Sequence, residues 1–314
     1  MKLGVIMDPI DKILVHHDGS FALLLEAQRR GYSVFYMEQH NIFLKNDRVW
    51  GRVRPLQVKD NITEWYKFDE EEFLELHQLD VVLMRKDPPV DYEYIYITQL
   101  LDLLEKSGTV VVNKPQSLRD FNEKLFISHF PQCCVPTLVT CEAQQVRDFL
   151  AEHKEIICKP LHSMGGHSIF RLSQGDPNIS VVIETLTQKG ACHIQVQRFI
   201  PEIKEGDKRI FLINGKPVPY ALLRTPAPGE IRANMAAGGK GIGIALNERD
   251  YWICEQIGPF LREKGLLFVG IDVIGDYLTE INVTSPTCIR ELDQQTGSTI
   301  CVQLFDFLNE IIKV

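Results

Sequence analysis

Short apolar runs alternate with longer helical patterns over the first third of the chain. KLGVIMD (2–8), YSVFYME (32–38), DVVLMR (80–85) and TVVVN (109–113) read as strands. Between the first two, Ser20 is placed to cap a helix over 21–30 that Gly31 ends, and a second helix covers 92–106. This rhythm predicts an α/β unit with about four parallel strands. The stretch 39–79 is polar and mixed, and hairpins are expected there.

Pro115 interrupts the pattern, and Ser117 is placed to cap a helix through LRDFNEKLFISHF (118–130). A strand (136–140), a helix (142–153) and the strand EIICK (155–159) follow. A glycine-containing stretch, PLHSMGGHS (160–168), precedes the strand IFRL, a helix near 179–188 and the strand CHIQVQRFI (192–200). KRIFLINGKPVPYALL (208–223) is a hairpin, because Asn-Gly favours the left-handed conformations of a type I′ turn. A Gly-, Ala- and Pro-rich loop (225–243), a helix (247–264), a second hairpin from Phe268 and an amphipathic helix over roughly 298–313 complete the chain.

The 314 residues are enough for about two domains with a core that needs no staples. A net charge of −8 argues against general affinity for nucleic acid or anionic membrane. The eight scattered cysteines show neither a CxxC pair nor Cys/His ligand spacing, which suits reduced thiols in a cytoplasmic protein. The N-terminal apolar run meets Asp8 and Pro9 too soon for a signal peptide, and no stretch has the length of a membrane span.

Within the second hairpin, Asp272, Glu280 and Asn282 interrupt an otherwise buried pattern. A buried charge needs a partner or a metal. Glu280 and Asn282 are two apart on a strand and share a face. A two-residue Gly275-Asp276 turn would pair Asp272 with Thr279 and put Glu280 on the other face. A three-residue loop or a bulge would pair Asp272 with Glu280 instead. The trio reads equally as a platform for Mg²⁺ or as a solvated hairpin edge.

Lys159 ends a buried strand and requires an anion, whereas Lys124 alone carries no signal. Gly165-Gly166 frees a flap to approach phosphate, although a plain turn has the same composition. Arg85, Arg209, Arg224, Arg232 and Arg290 together suit a highly anionic ligand. The 225–243 loop has the length of a lid. No GxSxG elbow or Cys/His pair supports covalent catalysis, and His77, His129, His153 and His193 read as structural or surface residues.

Six segments in this order resemble the bacterial-type glutathione synthetases: MRKDPP (84–89), VNKPQSLRDFNEKLF (112–126), CKPLHSMGG (158–166), EGDKR (205–209), AAGGKG (236–241) and TEINVTSPTCIRE (279–291). The resemblance runs over essentially the whole chain. It implies an α/β protein, α+β in part: an ATP-grasp fold behind an N-terminal parallel α/β domain. The implied divisions are 1–122, an ATP-grasp lid at 123–200 and a catalytic part at 201–314. The implied reaction joins glycine to γ-glutamylcysteine with ATP as co-substrate, through an acyl phosphate.

The resemblance also implies roles. Asp272, Glu280 and Asn282 would hold two Mg²⁺ ions, with Mn²⁺ as a substitute. Lys124, Lys159, Met164, Gly165, Gly166, Gln197, Arg198, Phe199, Ile200 and Asp207 would bind ATP. Arg209 and Arg224 would be catalytic, and Arg85, Arg232, Cys288 and Arg290 would form the peptide pocket. Small-molecule substrates, no nucleic acid or membrane partner, and a homotetramer are implied. One departure is His162-Ser163, where relatives usually carry Asp-Gly; it bears on the flap's stiffness and charge. Lys240 keeps the charge of a frequent arginine. Another ATP-grasp ligase should lack MRKDPP and TSPTCIRE. A non-catalytic regulator of the same fold should have lost a lysine or an acidic ligand, and this chain retains them.

Overall fold

The computed structural model describes residues 1–235 and 238–312. In the N-terminal part, β1 (Lys2–Met7), β2 (Ser33–Met37), β7 (Val81–Arg85) and β8 (Val110–Val112) form the expected parallel core, in the order β2-β1-β7-β8. The mixed stretch supplies β3 (Ile42–Lys45), β4 (Arg48–Val58), β5 (Tyr66–Phe68) and β6 (Glu72–Glu75), all antiparallel. Helices α1 (Gly19–Arg29) and α2 (Tyr92–Glu105) pack on this sheet.

Two local expectations need correction. Asp18, not Ser20, caps α1: its carboxylate accepts the Phe21 N–H at 2.6 Å. Ser20 is instead buried and accepts a hydrogen bond from Arg85 Nε. The helix expected after Ser117 is replaced by a short α3 (Pro115–Asp120) and a 3₁₀ turn at Leu125–His129. Pro115 starts α3, where its missing N–H costs nothing. The break between the two pieces lets residues 122–124 run beside a neighbouring sheet.

A four-stranded antiparallel sheet follows, ordered β11-β10-β12-β9, from β9 (Thr137–Thr140), β10 (Glu155–Pro160), β11 (Phe170–Ser173) and β12 (Ile194–Arg198). Helices α4 (Ala143–His153) and α5 (Ile179–Thr187) cover one face and close a separate apolar core around Val146, Ile156, Ile183 and Val196.

The third sheet runs β15-β14-β13-β16-β17: β13 (Asp207–Ile213), β14 (Lys216–Thr225), β15 (Lys240–Ala245), β16 (Phe268–Ile274) and β17 (Tyr277–Asn282). Asn214 and Gly215 both have positive φ, as the expected type I′ turn requires. The glycine-rich loop ends earlier than its composition suggests, since β15 begins at Lys240; Ala236 and Ala237 of that loop lie outside the described residues. Helix α6 (Glu248–Glu263) carries an Asn247/Asp250 capping box. TSPTCIRE leads into α7 (Ile289–Thr296), which periodicity alone does not reveal, and α8 (Ile300–Ile312) closes the chain as described.

The third sheet shares its core with the N-terminal part: Ile210, Ile271 and Ile281 join the cluster of Ile6, Met84 and Leu101. Buried Asn113 ties the two together. It accepts the Phe268 N–H at 2.8 Å and donates to the carbonyls of Phe268 and Val283 at 2.7 Å each. Replacing it with Ala removes three buried hydrogen bonds and strands their partners. We expect Asn113→Ala to cost about 3 kcal/mol of stability in a denaturant titration; a loss under about 1 kcal/mol would contradict this stitching role.

Candidate active site

The register of the third sheet builds the site. Arg209 on β13 lies opposite Asp272 on β16, and Asp272 lies opposite Glu280 on β17. Opposed residues share a face, so the three form a row across the sheet. Asn282 follows Glu280 on the same face, and Asp207, two before Arg209, faces Arg224 on β14. One face thus gathers all six side chains.

The hairpin reaches this register by both routes at once. Ile274 pairs with Tyr277 around a two-residue Gly275-Asp276 turn, and the pairing then shifts between Asp272 and Val273. Thr279 is the extra residue of that bulge, and its hydroxyl donates to the Asp272 carbonyl at 3.1 Å. The bulge turns Glu280 onto the face of Asp272.

Asp272 is buried and held by both arginines. Arg209 donates through Nε to Oδ1 at 2.5 Å and through Nη2 to Oδ2 at 3.0 Å, and Arg224 Nη2 also lies 3.0 Å from Oδ2. Burial pushes the Asp272 carboxyl up, but the two guanidiniums overcome it and hold it well below the usual range. Arg224 also forms a fork with Asp207, at 2.6 and 2.8 Å.

Lys124 reaches this face from the segment after α3. Its ammonium lies 3.0 Å from Glu280 Oε1 and donates to the Ser163 carbonyl of the flap. Gln195 donates to the Lys124 carbonyl at 2.8 Å. Glu123, next to it, bonds across to β17's exit: Oε1 accepts from the N–H groups of Val283 and Thr284 and from the Thr284 hydroxyl, at 2.8–3.0 Å. Sequence reasoning missed Glu123; a carboxylate inside DFNEKLF beside a candidate lysine was its only signal.

Across a deep cavity, the second sheet presents Lys159, whose ammonium donates to Gln197 Oε1 at 2.6 Å. The cavity lies between the two sheets. Lys124, Lys159, Gly165, Gly166, Gln197, Arg198, Phe199, Ile200, Asp207, Asp272 and Glu280 all line it. In the segment expected as a flap, Gly165 and Gly166 have φ of 63° and 77°, and a Cβ on Gly166 would meet Asn234 Oδ1 at 2.5 Å. Apolar walls from Ile157, Ile169, Ile203, Ile231 and Ile274 suit a flat heterocycle, and these the sequence reading did not single out.

A second cavity adjoins the first. Met164, Arg209, Arg224, Glu280, Asn282 and Cys288 line it, with Asp87, Glu123, Thr284 and Ser285. The remaining arginines fall elsewhere. Arg232 lines the first cavity, paired with Glu230 at 2.5 Å. Arg85 is buried behind the second, donating to Ser20 and to the Pro286 carbonyl, and Arg290 pairs with Asp60 against the Phe21 ring. Neither Arg85 nor Arg290 is among the lining residues. All eight cysteines are free.

Burial pushes Lys159 down to about 8, against the pull of Glu280. A lysine that meets phosphate must be charged, so the nucleotide-free protein loses that contact as pH rises through about 8. Nucleotide affinity is therefore expected to be flat from pH 7 to 8 and then to fall up to tenfold per unit. Lys159→Met should bind weakly and without this pH dependence. Calorimetric titration with an ATP analogue checks both; a wild-type affinity constant to pH 9.5 would contradict the assignment.

Among the described residues no three His, Cys, Asp or Glu side chains cluster as a metal-holding group. The trio's donors are two carboxylates and a carboxamide, hard oxygens on one face, which fit a hard divalent cation. The Asn282 amide nitrogen is buried without a hydrogen-bond partner. An amide N–H is a donor and suits an acceptor such as a phosphate oxygen; the carboxamide oxygen is the atom a cation would take.

Residues 1–119 match the model for the prokaryotic glutathione synthetase N-terminal domain, and residues 123–297 match that for the prokaryotic glutathione synthetase ATP-grasp domain. A glutathione synthetase of Pseudomonas aeruginosa is 56% identical over 306 residues, spanning 98% of this chain and 96% of its own. That of Coxiella burnetii is 54% identical over 308 residues, spanning 98% and 96%. Among solved structures, the D-cycloserine synthetase DcsG aligns with a TM-score of 0.67 at 13% identity, over 98% of this chain and 100% of its own. ATP-grasp ligase PsnB, complexed with minimal precursor, aligns at 0.65 and 16% identity over 98% of each chain. At those identities the two structures speak to the fold alone.

Proposed function

The chain belongs to the prokaryotic glutathione synthetase family, and from that premise we infer how its own residues carry out the ligation. The protein is an ATP-dependent ligase that forms a peptide bond, joining glycine to γ-glutamylcysteine. It uses ATP as a substrate and depends on a divalent metal. The observation that carries the assignment of roles is the row Arg209–Asp272–Glu280 facing Lys124 and Lys159 across one cavity.

We assign the adenine to the apolar slot by Phe199 and Ile200, and the phosphates to Lys124, Lys159 and the Gly165-Gly166 flap. Asp272, Glu280 and Asn282 would hold Mg²⁺, two ions with Mn²⁺ able to replace them. When bound, the metal neutralises phosphate charge in phosphoryl transfer.

A carboxylate is a poor electrophile. Its oxygen attacks the γ-phosphorus, the bond to the β-phosphate oxygen breaks, and ADP leaves. Arg209 and Arg224 face the second cavity at its junction with the first, where the acyl phosphate forms. The lone pair of the glycine amine, entering unprotonated, attacks the carbonyl carbon. The two guanidiniums stabilise the oxyanion. The carbon–oxygen bond to phosphate then breaks, phosphate leaves, and the nitrogen gives up one proton to the departing phosphate or to water. Arg232, whose Nη1 lies 3.5 Å from the Gly166 carbonyl of the flap, would help to keep water from the acyl phosphate.

We read residues 1–122 as the N-terminal domain, 123–200 as the lid and 201–314 as the catalytic part. The separate core of the second sheet supports the lid as a unit. No helix among the described residues is long and apolar enough to cross a membrane; a cytoplasmic homotetramer is the family-based reading. The direct test mixes the protein with ATP, Mg²⁺ and γ-glutamylcysteine, with and without glycine. Glycine-dependent glutathione and phosphate are expected; their absence would sink the assignment.

A further inference from the structure

Strand β12 carries two buried glutamines, Gln195 and Gln197, two apart and so on one face, and Gln197 lines the first cavity. Each is tied to one of the two lysines. Gln195 donates to the Lys124 carbonyl at 2.8 Å, and Gln197 Oε1 accepts from the Lys159 ammonium at 2.6 Å. Among the described residues, Gln197 is the one hydrogen-bond acceptor of that ammonium. Glu280, on the opposite wall, pairs with Lys124 instead.

The register of the second sheet sets the orientation of that acceptor. Gln197 lies opposite Ile157 of β10 on one side and opposite Thr137 of β9 on the other. Lys159 is two beyond Ile157, on the same face. The Gln197 amide nitrogen donates to Thr137 Oγ1 at 3.2 Å, and the Thr137 hydroxyl donates to the Val135 carbonyl at 2.9 Å. The hydroxyl proton is thus committed to Val135, and its oxygen is left to accept from Gln197. Three hydrogen bonds in series fix which way the amide points. The reversed amide would set its NH₂ against the ammonium, donor against donor. Thr137 is not among the residues lining the cavity, so it reaches a ligand there only through Gln197.

We propose that Thr137 and Gln197 form a positioning relay for Lys159: Thr137 orients the Gln197 amide, and the amide oxygen holds the ammonium in place for the nucleotide phosphates. This rests on the reading of Lys159 as a phosphate-binding lysine. The other charged residues lining the cavity are Lys124, Arg198, Asp207, Arg232, Asp272 and Glu280. Gln197 adds a dipole to this set but no charge. Replacing it with a carboxylate or with an apolar side chain therefore changes the surroundings of the ammonium in opposite directions. An adjacent carboxylate favours the charged lysine. Loss of the amide oxygen leaves burial to push Lys159 further below its ordinary value.

The test is calorimetric titration with an ATP analogue from pH 7 to 9.5, on the unchanged protein and on variants of the relay. In the unchanged protein the affinity should begin to fall near pH 8. Gln197→Glu should move that onset up by about one unit or more, and Gln197→Leu should move it down. Thr137→Val, close in shape, should weaken binding about five- to tenfold at pH 7.5, the worth of one buried hydrogen bond, and Thr137→Ser should restore it. In a Lys159→Met background, Thr137→Val should change the affinity by no more than about twofold, because no ammonium remains to be held. KM for γ-glutamylcysteine and for glycine should stay within about threefold in Thr137→Val. The Thr137 arm decides the matter if the Gln197 variants fold poorly. An onset that stays in place in both Gln197 variants, or a Thr137→Val loss that persists in the Lys159→Met background, overturns the proposal. So does a Gln197→Leu loss seen with adenine nucleotides and absent with inosine triphosphate, which would make Gln197 a reader of the base. An affinity constant to pH 9.5 in the unchanged protein overturns the phosphate role of Lys159 and this inference with it.

Discussion

Glu280→Gln is expected to lower kcat by about three orders of magnitude while leaving the fold intact. The carboxylate is the more accessible of the two in the trio, with a side chain 20% exposed. Its replacement keeps shape and polarity at the β17 position but removes the charge that would neighbour a metal and that pairs with Lys124 at 3.0 Å. Charge stabilisation of a transferring phosphoryl group is worth several kcal/mol, and each 1.4 kcal/mol is tenfold in rate. The unfolding temperature should move little, because Lys124 keeps the Ser163 carbonyl as acceptor. Stopped-time assays of phosphate release beside a thermal melt test both halves. Turnover within tenfold of the unchanged protein would refute the metal role.

The second large effect belongs to Arg209. Arg209→Met should cost both catalysis and stability. Arg209 is 4% exposed, and its fork holds both oxygens of buried Asp272. Without it, Asp272 keeps only Arg224, which Asp207 already engages. Breaking a buried pair by removing one partner costs about 3–5 kcal/mol, since the other charge is left under-compensated. Loss of an oxyanion donor adds about 10²- to 10³-fold in kcat. Arg209→Lys retains charge but not the fork, so it should recover stability only in part. The Asp272 carboxyl is held low by the guanidiniums, so its stabilising contribution is lost as pH falls through that lowered value. A Met variant that is both stable and active within tenfold would contradict this reading.

The legibility of the fold follows how local each signal is. Asn214-Gly215 announces its turn because only residues tolerant of positive φ suit it. The parallel strands announce themselves by continuous apolar runs. Asp18 outcompetes Ser20 as a cap for a reason pattern cannot give: Ser20 is taken by Arg85, 65 residues away. The same holds for the 118–130 stretch, whose helical pattern yields to packing of residues 122–124 against β17, where the Ile281 N–H bonds to the Glu123 carbonyl.

The site shows the same division. The need for Asp272 and Glu280 to share a face was readable from chemistry, and the bulge at Thr279 meets it. Among the charged residues set in apolar pattern, Asp272 is buried whereas Glu280 and Lys159 are half-buried, and the pattern did not announce their partners. Arg290 finds Asp60 at 230 residues' separation, and Arg232 turns to Glu230 beside the flap. Lys124, silent by itself, gains meaning only from Glu280 and Ser163. The isoleucine walls stayed hidden because an apolar residue beside a ligand looks the same in sequence as one in the core.

The central claim is that the donor carboxylate is activated as an acyl phosphate between the lysine pair and the Arg209–Asp272–Glu280 row. It is tested most directly by supplying γ-glutamylcysteine labelled with ¹⁸O in the cysteinyl carboxylate and analysing the inorganic phosphate by mass spectrometry. The account predicts one ¹⁸O atom transferred to phosphate for each glutathione formed. Glutathione formation with unlabelled phosphate would contradict it.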